Sequence, residues 1–441
     1  MAVARLRSNH FPKATFFVPL TNLLRQQPEA NMSANLTTSR PMGAIAADPT
    51  TRYAFFRSIE AAGQDWDAAA PLHDVFLQRA YLSILEANPP VGMRFGYLVF
   101  YKNENPVGVA LCQIKYFKGD DNIADLNVPR KDPCFFGGLA QWFKRWVAGM
   151  AAADILICGN MLLTGEHGYY FDYQRIKPSE AIETLEKALD QVVECMAREG
   201  VKMPVILVKD IAPSHHAQGS FLVEKGFTEF DIQPNMVLQL PFGNFDGYLA
   251  AMSTKYRTRA KRALKKMDGI ERRELSLADI QRELPTIYRL YRDIARNAGF
   301  NMVDLNEYYL LALKRDLSSH FKMYGYYLEG QMLAFYTTIH NQGELEAHFL
   351  GYEKSLNHEY QLYLNILYDI VRTGLETDCD HIVFARTALE IKSSVGAEAQ
   401  QLWCYLRHQN QVANKFTGTI LEYLKPVEEW QPRHPFKDGN D

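Results

Sequence analysis

The sequence predicts an α/β (α+β) protein made of one unit used twice, each copy a mixed, mostly antiparallel sheet flanked by helices. Three observations predict it. The same order of elements occurs twice, and a repeat fixes both the domain count and the place of a site. Each copy opens on extended runs joined by tight turns, which read as hairpins. Each then passes through a long amphipathic helix to a short apolar strand of the kind buried on both faces.

The first copy is read as strand 95–102, the turn Glu104-Asn105-Pro106 and strand 107–117. Helix 138–151 and strand 154–162 follow, then the loop Gly165-Glu166-His167-Gly168, helix 179–199 and strand 204–209. The second copy is read as strand 323–328, the turn Glu329-Gly330, strand 331–340, the turn Asn341-Gln342-Gly343 and strand 344–352. A loop over 353–358, helix 359–375 and strand 381–385 complete it.

Local signals support these elements in order. A helix pair is expected around 51–62 and 73–87, the second ended by Pro89-Pro90, because proline cannot continue a helix. Tyr97, Val99 and Tyr101 alternate onto one strand face. Leu139, Phe143, Trp146 and Val147 recur at helical spacing. Helix 179–199 starts at Pro178-Ser179, has Glu180 and Glu183 at its positive end and stops at Gly200. Leu185, Leu189, Val192 and Val193 form its buried stripe. A helix then ends at Gly226, and Met236 to Leu240 alternates as a strand. The second half opens on helix 245–267, continues through helical stretches at 276–297 and 304–317, and ends with a strand near 402–407 and a helix near 409–422.

The domain division that follows is a flexible arm over 1–50, domains over 51–243 and 244–425, and a polar tail over 426–441 that frays from Trp430. The arm is basic and acid-poor, so a targeting segment, a plain arm and a misplaced start all fit it.

Composition excludes several classes. Apolar residues make up 47% of the 441, which supplies large cores and argues against disorder. A net charge of −3 favours neither DNA nor a membrane surface. No run of 18 apolar residues occurs, so no membrane span is expected. The six cysteines are scattered without a C-x-x-C pair, which fits free thiols in a reducing, cytoplasmic setting. Neither a Gly-x-Ser-x-Gly elbow, nor a phosphate-binding Gly-x-x-x-x-Gly-Lys, nor a His-Glu-x-x-His helix is present. No metal site is expected; His215-His216 reads as a helix-start feature.

The run Phe221-Leu-Val-Glu-Lys-Gly-Phe227, a helix ending on Gly-Phe before a strand, resembles the late core of the Gcn5-related N-acetyltransferase (GNAT) superfamily. The resemblance implies an acyl-CoA pyrophosphate site in the segment from Gly165 to Glu183, with Gly165, His167 and Gly168 as cofactor-binding residues. Loop amides and a helix N-terminus suit an anion. The superfamily's Arg/Gln-x-x-Gly-x-Gly/Ala is absent, and Glu166 would repel phosphate, so an ordinary strand–helix loop is the other reading. The run His381-Ile-Val-Phe-Ala-Arg386 and then Thr387 to Gly396 resembles the FemAB-like branch with its tandem domains, the likeness covering about 60–425.

That branch implies Lys392 near the transferred acyl group, where a fixed cation would steady an oxyanion. The other reading is a surface lysine on a short helix. Glu346 and His348 alternate on one strand, so both face one side, and either suits the base that an amine acceptor needs. Tyr352, Arg386 and Glu390 are the candidates for binding substrate. The expected activity is N-acyl transfer from acyl-CoA, a co-substrate and not a bound cofactor, to a small-molecule primary amine. The alternatives are an aminoacyl-tRNA-dependent transferase of cell-wall precursors and a non-catalytic binding protein of the same fold. The basic run from Lys255 to Lys266 would serve the tRNA reading, or is a solvated helix joining domains.

Overall fold

The computed structural model describes residues 50–118, 152–295, 303–424 and 430–437. Residues 1–49 of the expected arm over 1–50, helix 138–151 and Cys134 lie outside the described residues. The strands are β1 Thr51–Phe56, β2 Met93–Lys102, β3 Asn105–Lys118, β4 Ala152–Cys158, β5 Tyr169–Phe171, β6 Val205–Ile211, β7 Thr228–Asp231 and β8 Asn235–Gln239. They continue as β9 Glu271–Glu274, β10 Phe321–Leu328, β11 Gln331–Asn341, β12 Glu344–Tyr352, β13 His381–Val383, β14 Glu398–Gln400 and β15 Trp403–His408. The α-helices are α1 Ile59–Ala69, α2 Arg79–Ala87, α3 Pro178–Arg198, α4 His216–Glu224, α5 Phe245–Ala251, α6 Thr254–Lys265 and α7 Leu277–Ala295. After them come α8 Tyr309–Asp316, α9 Lys354–Tyr360, α10 Leu362–Glu376, α11 Leu389–Ser394, α12 Gln411–Asn414 and α13 Thr417–Leu424.

Two mixed sheets, mostly antiparallel, carry these strands. The first runs β1-β2-β3-β4-β6-β15-β7, with β5 also on β3. The second runs β9-β10-β11-β12-β13-β8-β14. Laid side by side, the two orders match strand for strand. Each has one parallel pair, β4 with β6 and β12 with β13. The sixth strand of each sheet comes from the other half of the chain. β8 precedes the expected boundary at 243 yet pairs with β13 and β14. β15 lies late in the chain yet sits between β6 and β7. The halves therefore exchange equivalent strands, and a single cut at 243 does not separate the sheets.

Local chemistry accounts for the elements. In α3, Pro178 takes the first turn, where its missing N–H costs nothing, and Glu180 and Arg198 suit the two ends of the helix dipole. Ala181, Ile182, Leu185, Ala188, Leu189, Val192 and Met196 bury one stripe against the outer face of the first sheet. Gly351 lets the backbone of α7 press on β12, since a Cβ there would meet Leu290 C at 2.7 Å. A third apolar layer joins the halves. Trp66, Phe76, Tyr81 and Tyr97 from one half pack with Leu290, Tyr309, Phe335 and Ile339 from the other.

Three expectations are corrected. Residues 51–56 form β1 and not a helix, because Thr51 to Phe56 pair residue by residue with Lys102 to Tyr97 on β2. The single helices expected at 245–267 and 359–375 are each two, broken near Met252 and at Gln361, which has φ 51°. The tail does not fray from Trp430: Phe436 bridges Met252, and both Trp430 and Phe436 pack against the second core. Cys112, Cys158, Cys195, Cys379 and Cys404 are free thiols, and no described helix is long and apolar enough to cross a membrane.

The exchange makes a direct prediction. Residues 50–243 expressed alone lack β15, so β7 has no partner and the fragment stays largely unfolded by circular dichroism. Mixed with residues 244–441, it regains structure. A cooperatively folded 50–243 fragment would contradict the exchange.

Candidate active site

Where parallel strands part, a crevice opens beyond their carboxyl ends. β12 and β13 stay paired for Glu344–His381, Leu345–Ile382 and Glu346–Val383 only. The chain then turns to β8, with Phe384 N–H donating to Met236 O at 2.8 Å. Glu346 is thus the last paired residue. Across the hairpin it faces Ile339, a member of the layer between the sheets. Its side chain is buried, 1% exposed, and its Oε2 has no hydrogen-bond partner. Burial pushes this carboxyl well up and Glu344 adds to the effect, while His167, Lys392 and Lys209 oppose it.

β4 and β6 part in the same way after Cys158–Val208. The next residues on β6 are Lys209 and Asp210, both buried. Lys209 Nζ donates to Leu163 O at 2.8 Å and to the Asp210 carboxylate. Asp210 also takes Gly165 N–H at 3.2 Å and the guanidinium of Arg386. Burial alone would raise its pKa, but Lys209 and Arg386 outweigh that and hold it at about 2. Because Arg386, from the turn after β13, reaches Asp210 on β6, both parting points share one buried polar layer.

Lys392 belongs to this layer. α11 follows a turn in which Ala385, Thr387 and Ala388 have φ of 58°, 80° and 47°, a costly conformation for residues with a Cβ. Lys392 Nζ closes that turn by donating to Ala385 O at 3.2 Å and Arg386 O at 2.9 Å. It is 5% exposed, which removes the surface-lysine reading. Burial lowers its pKa to about 7 against the pull of Glu346, so it is a titrating group near neutrality and not a fixed cation.

His348 shares the inner face with Glu346, but β12 bulges beside it, opposite Thr337. Its Nε2 pairs with Tyr309 Oη at 3.0 Å, Tyr309 Oη meets Tyr81 Oη at 3.3 Å, and Asn160 Nδ2 donates to Tyr81 Oη at 3.2 Å. Burial pushes the imidazole down to about 3. A base that weak holds no proton from an amine at neutral pH, so the arrangement suits a neutral hydrogen-bond relay.

The loop residues sit differently from the expected anion site. The Gly165 and His167 N–H groups are taken by Asp210 and by Gly165 O. A Cβ at Gly168 would meet Gly159 Cα at 2.8 Å, so this glycine serves backbone packing. β5 intervenes before α3, and the loop does not open the helix. The His167 ring instead turns inward to Asp74 Oδ2 at 2.9 Å. Burial works against its protonation, yet Asp74, with Glu344 and Glu346, raises its pKa to about 9. The loop thus gives the layer a cation.

The three candidates for binding substrate do not join Glu346. Arg386 gives Nε to Gln233 O at 2.8 Å and both terminal nitrogens to Asp210, so its donors are committed internally. Tyr352 lies opposite Ala334 on the outer face of the sheet, beside Tyr363. Glu390 is exposed and paired with Arg433. Sequence reasoning missed Asp74, Tyr81, Asn160, Lys209, Asp210 and Tyr309. Only Lys209-Asp210 carried a signal, two charges ending an apolar strand.

Residues 254–393 match the family model described as an acetyltransferase (GNAT) domain, so the second half carries an acyltransferase domain of that superfamily. No curated protein matches the chain. Among solved structures the chain is similar to FemX, at 12% identity and TM-score 0.49 over 80% of this chain and 98% of that one. It is similar to a tandem GNAT protein from the clavulanic acid biosynthesis pathway, at 10% identity and TM-score 0.45 over 81% and 99%. It is also similar to L-PGS from Bacillus licheniformis, at 12% identity and TM-score 0.42 over 77% and 95%.

Two predictions test the layer. Arg386→Ala leaves Asp210 short of its cross-sheet partner and destabilises by about 3–5 kcal/mol in urea unfolding; a loss below 1 kcal/mol would show that the pair does not fasten the sheets. Glu346→Gln acts oppositely. A carboxyl whose folded pKa is raised loses stability as pH climbs from its ordinary 4.5 toward the folded value. The melting temperature of the variant relative to the native protein should therefore rise between pH 5 and 8 (about the window the shift implies), and a flat difference would count against a strained carboxyl.

Proposed function

We propose that the chain transfers an acyl group from acyl-CoA to a primary amine, with Glu346 as the general base. One observation carries this reading: a buried carboxylate with an unpartnered oxygen, at the parting point of two parallel strands, inside the segment that matches the acyltransferase model. An amine brought to that parting point gives a proton to Glu346 and attacks the thioester carbonyl. The C–N bond forms, the C–S bond breaks, and the departing thiolate takes a proton back. Raising the carboxyl's pKa brings it closer to that of the amine, which favours transfer in the transition state.

Lys392 in its protonated form and His167 are the cations that can steady the charge on the carbonyl oxygen. With its pKa near 7, Lys392 supplies that charge best below neutrality, whereas His167 keeps its own to about pH 9. His348 and Tyr309 hold the inner face of β12 and do not take the amine proton. A small-molecule amine is the acceptor class; the exposed cations of α6 keep an aminoacyl-tRNA donor as the second reading.

The test is release of CoA thiol from acetyl-CoA and longer acyl-CoAs in the presence of a panel of primary amines. Glu346→Gln should lower kcat by about 10²–10⁴, the usual worth of a positioned base, while the rise in melting temperature on CoA addition stays the same as in the native protein. Turnover unchanged in that variant would remove Glu346 from the mechanism. Turnover with aminoacyl-tRNA and with no acyl-CoA would move the donor to the second reading.

A further inference from the structure

On the far side of α11 from the buried layer lies a second feature, independent of the acyl-transfer reading. A cavity of about 380 Å³ is lined by Lys255, Tyr256, Arg259, Glu390, Ile391 and Arg433. That volume is within the range of about 300–1,000 Å³ for small-molecule sites. The lining comes from three places far apart in sequence: the first turns of α6, the first turn of α11 and the terminal segment 430–437.

That terminal segment is fixed. Ser253 N–H donates to Pro435 O at 2.8 Å, Lys437 N–H to Ala251 O at 3.1 Å, and Arg433 N–H to Ser393 Oγ at 3.0 Å. Phe436 bridges Met252 and stands where a Cβ on Gly396 would fall, its ring carbon 2.4 Å away. These contacts bring Arg433 to a third wall of the cavity. Lys255 and Arg259 are four residues apart and so share one face of α6. Like charges on one helix face are unfavourable without a counter-charge.

Only one carboxylate lines the cavity. Glu390 pairs with Arg433 through Nε at 3.1 Å and through Nη2. Among the described residues neither Lys255 nor Arg259 has an ion-pair partner. The lining thus carries three cations and one anion, with Tyr256 and Ile391 offering apolar surface beside them. A doubly charged anion with an organic body matches both the charge and the surface. Arginine presents a planar fork and lysine a point charge, the pair of donors that phosphate groups engage.

We propose that this cavity binds a phosphate monoester carried by a small molecule, with Lys255 and Arg259 as the principal donors and Glu390 holding Arg433 partly back. The site tells the phosphate from the rest of the ligand by charge, while Tyr256 and Ile391 cover the organic part. A nucleotide and a sugar phosphate share that chemistry, and the base alone distinguishes them.

The experiment is isothermal titration of the full chain with AMP, ribose 5-phosphate and adenosine. AMP binds and adenosine does not. Ribose 5-phosphate binding as well as AMP identifies the phosphate as the recognised group; weaker binding of the sugar phosphate identifies a nucleotide whose base lies on Tyr256. Lys255→Ala and Arg259→Ala each weaken AMP by about tenfold, the worth of one charge-assisted hydrogen bond. Glu390→Gln tightens it, because Arg433 is released toward the cavity. All three side chains are on the surface, so the variants fold, and a circular dichroism melt checks this. Equal binding of adenosine and AMP, no binding of either phosphate, or a Glu390→Gln variant that binds no tighter would overturn the proposal.

Discussion

The fold turns on one buried carboxylate. Asp210 has no exposed surface and sits at φ 63°, a conformation that residues with a Cβ adopt at a cost. It is held there by partners from four segments: Lys209 beside it, Gly165 on the loop, Arg386 from the second sheet and Cys404 on β15. A buried charge without partners would cost several kcal/mol, so these contacts must form together or not at all. That requirement joins the exchanged strand β15 to β6 and the turn after β13 to both. Apolar packing between the sheets supplies area, but it has no such register.

The candidate site is a consequence of that junction. Arg386 is drawn back to Asp210, in a turn where Ala385, Thr387 and Ala388 take left-handed backbone. The carbonyls exposed by that turn then need donors, and Lys392 supplies them from α11. With its amine anchored there, Lys392 comes within electrostatic reach of Glu346. On the other side, Asp74 turns His167 inward. The first half thus contributes one cation to Glu346 through a loop and another through Lys209. Neither half holds the complete set.

Much of this was legible, and the rest was hidden for identifiable reasons. The hairpins of β2–β3 and β10–β12 and the long helix α3 follow from alternation, turn residues and a helical stripe, all local properties. β1 was misread because six residues rich in aromatic side chains declare no period until β2 lies beside them. The strand exchange was invisible: β8 and β15 are short apolar strands that either sheet could accept, and the choice is made by non-local pairing. His167 was singled out for its glycine neighbours, yet its position depends on Asp74, ninety-three residues away. Glu346 was legible as an acid on a strand, but its burial follows from β13 ending at Val383. Asp210 depends on backbone geometry that no pattern of side chains reports.

The two charge clusters on either side of α11 differ in the way that function demands. In the inner one, burial has shifted Glu346 and Lys392 from their ordinary values, while Asp74 holds His167 protonated against its burial, so a proton can be exchanged there beside a fixed cation. In the outer one, the cations sit at the surface, where their charge is cheap to keep and can only attract. A group that must exchange a proton needs the first environment, and a group that must hold an anion needs the second. α11 is six residues long and carries Lys392 into one and Glu390 into the other. A ligand that draws Arg433 away from Glu390 would act on the same short helix whose lysine closes the turn beside Glu346.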